Sequence, residues 1–133
     1  MTTSANDNQQ SMTTPEGRNL TAKTLIGDGV RNSQGENLGT VEDFMFDLEG
    51  GKIAYVVVSH GGVLGMGEKL FAVPWNAFRL DTQKHSLVLD VDKELLKNAE
   101  GFDKGNWPNV ADHDWGQRTH QHYGTRPYWD EQV

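Results

Sequence analysis

Asp112, His113, Asp114, His120 and His122 crowd into residues 112–122, and imidazole with carboxylate is a donor set suited to zinc or a similar ion. Their spacing matches no ordered zinc module, and the chain has no cysteine to add a thiolate. His113, His120 and His122 are therefore candidate ligands set against a plainer reading, a polar tail with incidental histidines; no cofactor is expected. Glu42, Asp43 and Asp47 form a second cluster. On one strand, Asp43 and Asp47 share a face by the period of two if no bulge separates them. Paired carboxylates can do acid–base work, but charges on a strand edge more often discourage sheet-to-sheet association. A third candidate is the stretch Gly61-Gly62-Val63-Leu64-Gly65-Met66-Gly67-Glu68-Lys69. A phosphate-binding loop needs Lys and Ser or Thr directly after the last Gly, opening a helix. Here Glu68 intervenes and would repel phosphate. Val63, Leu64 and Met66 on a loop tip are instead candidates for touching a protein partner. No nucleophile is accompanied by an obvious base and oxyanion donor, so an enzyme is not expected.

The elements that carry these residues read mostly as short strands. Val30–Arg31 makes a first strand and Asn32–Gly35 a turn. Asn37–Asp47 makes a long strand, where the three-residue step from Leu38 to Val41 predicts a bulge near Gly39–Thr40. Leu48–Gly51 is a hairpin turn. Lys52–Ser59, with Ile53, Tyr55 and Val56–Val58, is apolar on both faces. It is either central or covered on its outer face by something else. Lys69–Val73 is a strand stopped by Pro74, Trp75–Leu80 a corner with a short strand, and His85–Val91 a half-buried strand. Asp92 reads as an N-cap, Lys93–Glu100 as a helix and Gly101 as its stop.

The two ends differ from this middle. Residues 1–22 read as a disordered arm rich in Thr, Ser, Asn and Gln, too polar to offset the entropy of ordering. Residues 101–133 read as an aromatic-rich, partly ordered extension: they hold Phe102, Trp107, Trp115, Tyr123, Tyr128 and Trp129 but no Leu, Ile or Met, and show no helical or strand period. A buried aromatic ring removes about 150–250 Å² from water, worth roughly 4–6 kcal/mol as an upper bound. Trp107 and Trp115 therefore pack somewhere. One option is their own outer sheet face, and the other is a second copy, as a tail-exchanged dimer.

The net charge is −7, and the acidic excess recurs in all three segments. Nucleic acid is therefore an unlikely partner on average. The lack of cysteine fits a reducing cytosol, and no window reaches the length of a membrane span or a signal peptide. A cytoplasmic protein without a membrane span is the expectation.

Residues 23–100 resemble the PRC-barrel family, which includes the cytoplasmic domain of the photosynthetic reaction-centre H subunit and the C-terminal domain of a ribosome-maturation factor. The resemblance rests on Leu25-Ile26-Gly27, Val30 with the Asn32–Gly35 turn, and Leu38-Gly39-Thr40-Val41-Glu42-Asp43. The strand Ile53–Ser59, the Val73-Pro74-Trp75 corner and Leu87-Val88-Leu89-Asp90-Val91 complete it. Asn106-Trp107-Pro108 looks like the tail of stand-alone bacterial members. The resemblance implies a mainly β fold, a small barrel of about six strands with one short C-terminal helix and irregular tails. It also implies an assembly surface and no catalytic residues. Trp75, Val63, Leu64, Met66, Trp107 and Trp115 are the candidate contacts of a protein-binding module that self-associates, as a dimer, and docks on a further protein. Two alternatives stand beside it. One is a regulator binding a ligand or metal through the tail histidines; the other, by family analogy, is a ribosome- or RNA-associated or photosynthetic electron-transfer-complex factor.

Overall fold

The computed structural model describes residues 20–61, 68–81, 83–84 and 86–130. The chain enters through one helical turn, α1 (Ala22–Leu25), where the Thr21 side chain accepts from the Thr24 N–H. Three strands follow: β1 (Gly29–Arg31), β2 (Asn37–Asp47) and β3 (Lys52–Gly61). After β4 (Glu68–Pro74), a 3₁₀ turn at Trp75–Ala77 leads into β5 (Phe78–Asp81) and β6 (Ser86–Leu89). The helices α2 (Lys93–Lys97) and α3 (His113–His122) and a last 3₁₀ turn at Tyr128–Asp130 complete the order. The six strands form one sheet in the order β4-β3-β2-β1-β6-β5, antiparallel except for the parallel pair β1–β6.

Irregular register bends the sheet around its core. Opposite β1 the pairing skips Leu38, and opposite β3 it skips Glu42. An extra residue on one strand kinks it and raises its twist. The bend expected near Gly39–Thr40 is thus real and made by two bulges that flank it. Gly39 is required there: its φ is +151°, and a Cβ would lie 2.2 Å from the Ser59 carbonyl oxygen. At the β1–β2 turn, buried Asn32 does the fastening. Its Oδ1 accepts from the Gln34 and Glu36 N–H groups, and its Nδ2 donates to Glu36 Oε1 and to the Val91 carbonyl. One side chain therefore ties the turn to the segment that follows β6.

The sheet buries both faces. The concave face encloses Val30, Leu38, Val41, Phe44, Val56 and Val58 with Leu87, Leu89 and Leu96 of α2. The convex face of β2, β3 and β4 carries Met45, Tyr55, Val57, Leu70 and Ala72, closed over by Trp115 of α3. This is why β3 is apolar on both sides. The outer cover is the C-terminal segment of the same chain.

Four features of the fold differ from what the sequence suggests. Leu20–Ala22 are not part of an unstructured arm, because Leu20 packs on the core and Thr21 caps α1. The remainder of that arm, residues 1–19, lies outside the described residues. The tail is not irregular throughout, since α3 occupies His113–His122. Its buried positions are Trp115, Gly116, Thr119 and His120, so helical spacing is present but three of the four are not apolar. A hydropathy pattern therefore misses it. Finally, α2 ends at Lys97 rather than Glu100, and Gly101 does not stop it. Gly101 lets the chain press against β4, where its Cβ would lie 2.9 Å from the Leu70 carbonyl oxygen. Just beyond, Phe102 and Leu70 exchange backbone hydrogen bonds of 2.8 and 2.9 Å, so the tail covers part of the β4 edge.

Candidate functional site

Two surfaces stand out, and aromatic residues build both. The first is a groove on the concave side of the sheet, about 280 Å³ in volume. Leu20 and Leu25 reach it from the entry segment and α1, Phe44 and Phe46 from β2, and Ile53 from β3. Trp75 and Leu80 close the far wall. Pro74 ends the β4 ladder and the 3₁₀ turn swings the chain to β5, and this corner sets Trp75 beside the groove. Every lining side chain is hydrocarbon or indole. Phe46 is 55% exposed on the rim, and Leu48, two residues on in the hairpin turn, is 89% exposed.

The second surface is the convex face under α3. Tyr55 is its centre: Trp115 and Tyr128 meet it edge-on at 5.1 and 5.8 Å between ring centroids, and His120 lies tilted against it at 5.6 Å. Gly116 permits this approach, because a Cβ there would lie 2.8 Å from the Trp129 ring and 3.0 Å from the Tyr55 hydroxyl. The Tyr55 hydroxyl is buried and has no hydrogen-bond partner among the described residues. Burial pushes its pKa far above the ordinary tyrosine value, and the neighbouring Tyr128 adds to the shift. Burial also raises Tyr128, with the Asp47 carboxylate reinforcing it. Tyr123, whose hydroxyl is likewise buried without a partner among the described residues, is raised by burial alone.

The fold disperses most of the residues that the sequence offers for chemistry. His113 stacks flat on Trp129 at 4.0 Å. His120 is buried, with Nδ1 2.8 Å from Thr125 Oγ1, and the His122 ring N–H donates to the Leu95 carbonyl at 2.7 Å. Among the described residues, no three His, Asp or Glu side chains gather into a metal-binding group. Asp43 accepts from the neighbouring Phe44 N–H, whereas Asp47 lies close enough to Tyr128 to shift it. Trp75 lines the groove, Trp115 anchors the tail on its own barrel, and Trp107 packs on Phe102 at 5.1 Å while 42% exposed. Val63, Leu64 and Met66 lie outside the described residues. The groove itself was not foreseen from the sequence. Its signal was the pair Phe46 and Leu48, apolar residues running into a hairpin turn where polar ones are usual.

A six-stranded, strongly bent sheet with a Pro-Trp corner and a short capped helix is the setting in which the family comparison falls. A family model for the PRC-barrel domain matches residues 18–96. The chain belongs to the PRC-barrel family. None of the curated proteins compared with it matches the chain. Membership marks this PRC-barrel protein, in general terms, as an interaction or assembly module. The matched stretch contains the whole groove and stops inside α2, so α3 and the aromatic tail lie beyond the family domain. Among the described residues, no helix is long and apolar enough to cross a membrane.

Proposed function

We propose that this PRC-barrel protein is a non-catalytic assembly module that self-associates, with the groove beside Trp75 receiving a second copy. The observation that carries this reading is a hollow lined wholly by apolar side chains next to an apolar projection on the same chain. Phe46 and Leu48 stand proud of the surface while Leu25, Ile53 and Trp75 form a recess. A two-fold dimer needs one self-complementary patch, and a knob beside a hole supplies it.

Burying what remains exposed of Phe46 (55%) and Leu48 (89%) stabilises by roughly 4–9 kcal/mol over the two copies, at about 1.5–3 kcal/mol for a fully exposed side chain. Association costs about 4–15 kcal/mol, so these two residues bring the balance near zero and the recess must contribute the rest. Truncating either projection is therefore decisive. Light scattering coupled to size exclusion on the full chain should show a dimer. Phe46→Glu and Leu48→Glu should run as monomers with unchanged far-ultraviolet circular dichroism. A wild-type monomer at every concentration, or variants that remain dimeric, would refute the proposal.

A further inference from the structure

The convex face of β3 and β4 has the properties of a binding site that is already occupied. Its central strand β3 is paired on both sides: Val57 pairs with Asp43 on one and Ala72 on the other. The inner core is assembled mainly from strands and helices inside the family domain, with Tyr123 as the tail's contribution. What lies on the convex face is a helix from outside that domain. On that face it is held chiefly by Trp115, with Phe102, Val110 and Tyr128 at the margins, while its C-cap Tyr123 enters the inner core and His122 donates to the Leu95 carbonyl. The remaining face of α3, including Asp114, Gln117, Arg118 and Gln121, is exposed. The ion pair between α3 and the barrel side, Arg118 to Glu100 at 3.4 Å, is exposed on both partners and contributes little.

The fit is also imperfect at its centre. The Tyr55 hydroxyl points toward Gly116 and is sealed from water without an acceptor among the described residues. A buried phenol normally finds a partner. Gly116 cannot supply one, and Trp129 occupies the space that a side chain at that position would need. A helix with an aromatic anchor, followed directly by Ser, Asn or Asp, would bring its Cβ to about the 3.0 Å contact with the hydroxyl and carry an acceptor oxygen one or two bonds further on. Such a helix would match the face better than α3 does, provided it carried nothing equivalent to Trp129.

The tether suits exchange. Phe102 is pinned to Leu70 by two backbone hydrogen bonds, while residues 103–112 contain neither helix nor strand. A short tether holds α3 at high effective concentration over its site.

We propose that the convex face around Tyr55 is a second docking site, for an amphipathic helix bearing an aromatic anchor and an adjacent hydrogen-bond acceptor. The chain's own α3 is its displaceable occupant. The site is separate from the groove and does not depend on self-association.

Hydrogen exchange on the full-length protein tests the first half. Amides of residues 113–122 should exchange at least about tenfold faster than those of Tyr55–Val58, because α3 opens locally. Equal protection would overturn the proposal, since α3 would then leave only on global unfolding. Fluorescence anisotropy tests the second half, with two labelled peptides of residues 106–130: the natural sequence, and one carrying Gly116→Ser with Trp129→Ala. Both should bind full-length Trp115→Ala protein at least about tenfold more tightly than wild type, whose own tail competes at high effective concentration. The substituted peptide should be the tighter of the two. Equal binding of the two peptides, or none to a Trp115→Ala chain whose β3 amides stay protected, would refute the assigned chemistry. Should Trp115→Ala not fold, the wild-type chain still orders the two peptides by affinity, and the same order is required.

Discussion

Replacing Tyr55 by Phe should make the protein more stable, although the hydroxyl sits in the middle of an aromatic cluster. The ring is fully buried and contacts Trp115, His120 and Tyr128, and Phe preserves all of those contacts. The hydroxyl alone is lost, and it has no hydrogen-bond partner among the described residues. Leaving such a group buried and unpaired costs about 1–3 kcal/mol. Removing one oxygen opens roughly 10 Å³, which at about 24 cal/mol per Å³ returns only ~0.2 kcal/mol of penalty. The net expectation is a gain of about 1–2.5 kcal/mol. Urea titration should show a higher midpoint with an unchanged m-value, and the melting temperature should rise by about 4 °C or more. Because α3 covers the hydroxyl, the same change should slow hydrogen exchange in residues 113–122 by about 5–70-fold, the equivalent of about 1–2.5 kcal/mol. Tyr128→Phe, at a half-buried position, is the control and should move stability by less than about 0.5 kcal/mol. A Tyr55→Phe protein that is less stable than wild type would mean that the hydroxyl is satisfied, and the reasoning about an imperfect cover would fall with it.

Three further expectations follow from particular residues. Gly39→Ala should cost about 3 kcal/mol or more, seen by urea titration, because a Cβ meets the Ser59 carbonyl oxygen and the backbone is held at positive φ. Asn32→Ala should cost about 2–4 kcal/mol in the same assay, since it strands two backbone N–H groups and the Val91 carbonyl at a buried position. The two buried tyrosines also predict alkaline instability. Their folded pKa values lie above the unfolded value near 10, so folding favours the neutral form. Stability is then fully present below about pH 10 and falls above it, by about 1.4 kcal/mol per pH unit for each group. Urea midpoints followed from about pH 9 to about pH 11, with tyrosinate absorbance as the second signal, should show Tyr55 and Tyr123 ionising only when α3 has opened or the protein has unfolded.

The barrel was legible in the sequence because its signals are local. The β-branched run of β3 and the turn at Asn32–Gly35 each specify their own backbone, as do the stop at Pro74 and the cap at Asp92. The bulged bend was legible too, since a three-residue step between buried residues breaks the period of two and requires an extra residue in the strand. The site was much less legible. Trp75 was singled out as an aromatic at a corner, yet the groove also needs Leu20, Phe46 and Leu80, brought together only by sheet curvature. The histidines looked like a metal set because they are close in sequence. Side-chain direction then turned one onto Trp129, one into the cluster around Tyr55 and one onto the Leu95 carbonyl.

By itself, the sequence determined the family, the order of the strands along the chain and the fact that β3 is apolar on both faces. It did not determine what covers the outer face. α3 escapes an apolar-run reading because Gly116, Thr119 and His120 occupy three of its four buried positions. Gly116 and His120 fit against Tyr55 and Trp129, partners distant in sequence from one another. Local propensity acts within a few residues, whereas a close fit between distant rings exists only once the sheet has formed. Tertiary structure alone therefore decided that Trp115 closes its own barrel, that the Tyr55 hydroxyl is buried beneath α3, and that the groove beside Trp75 stays open.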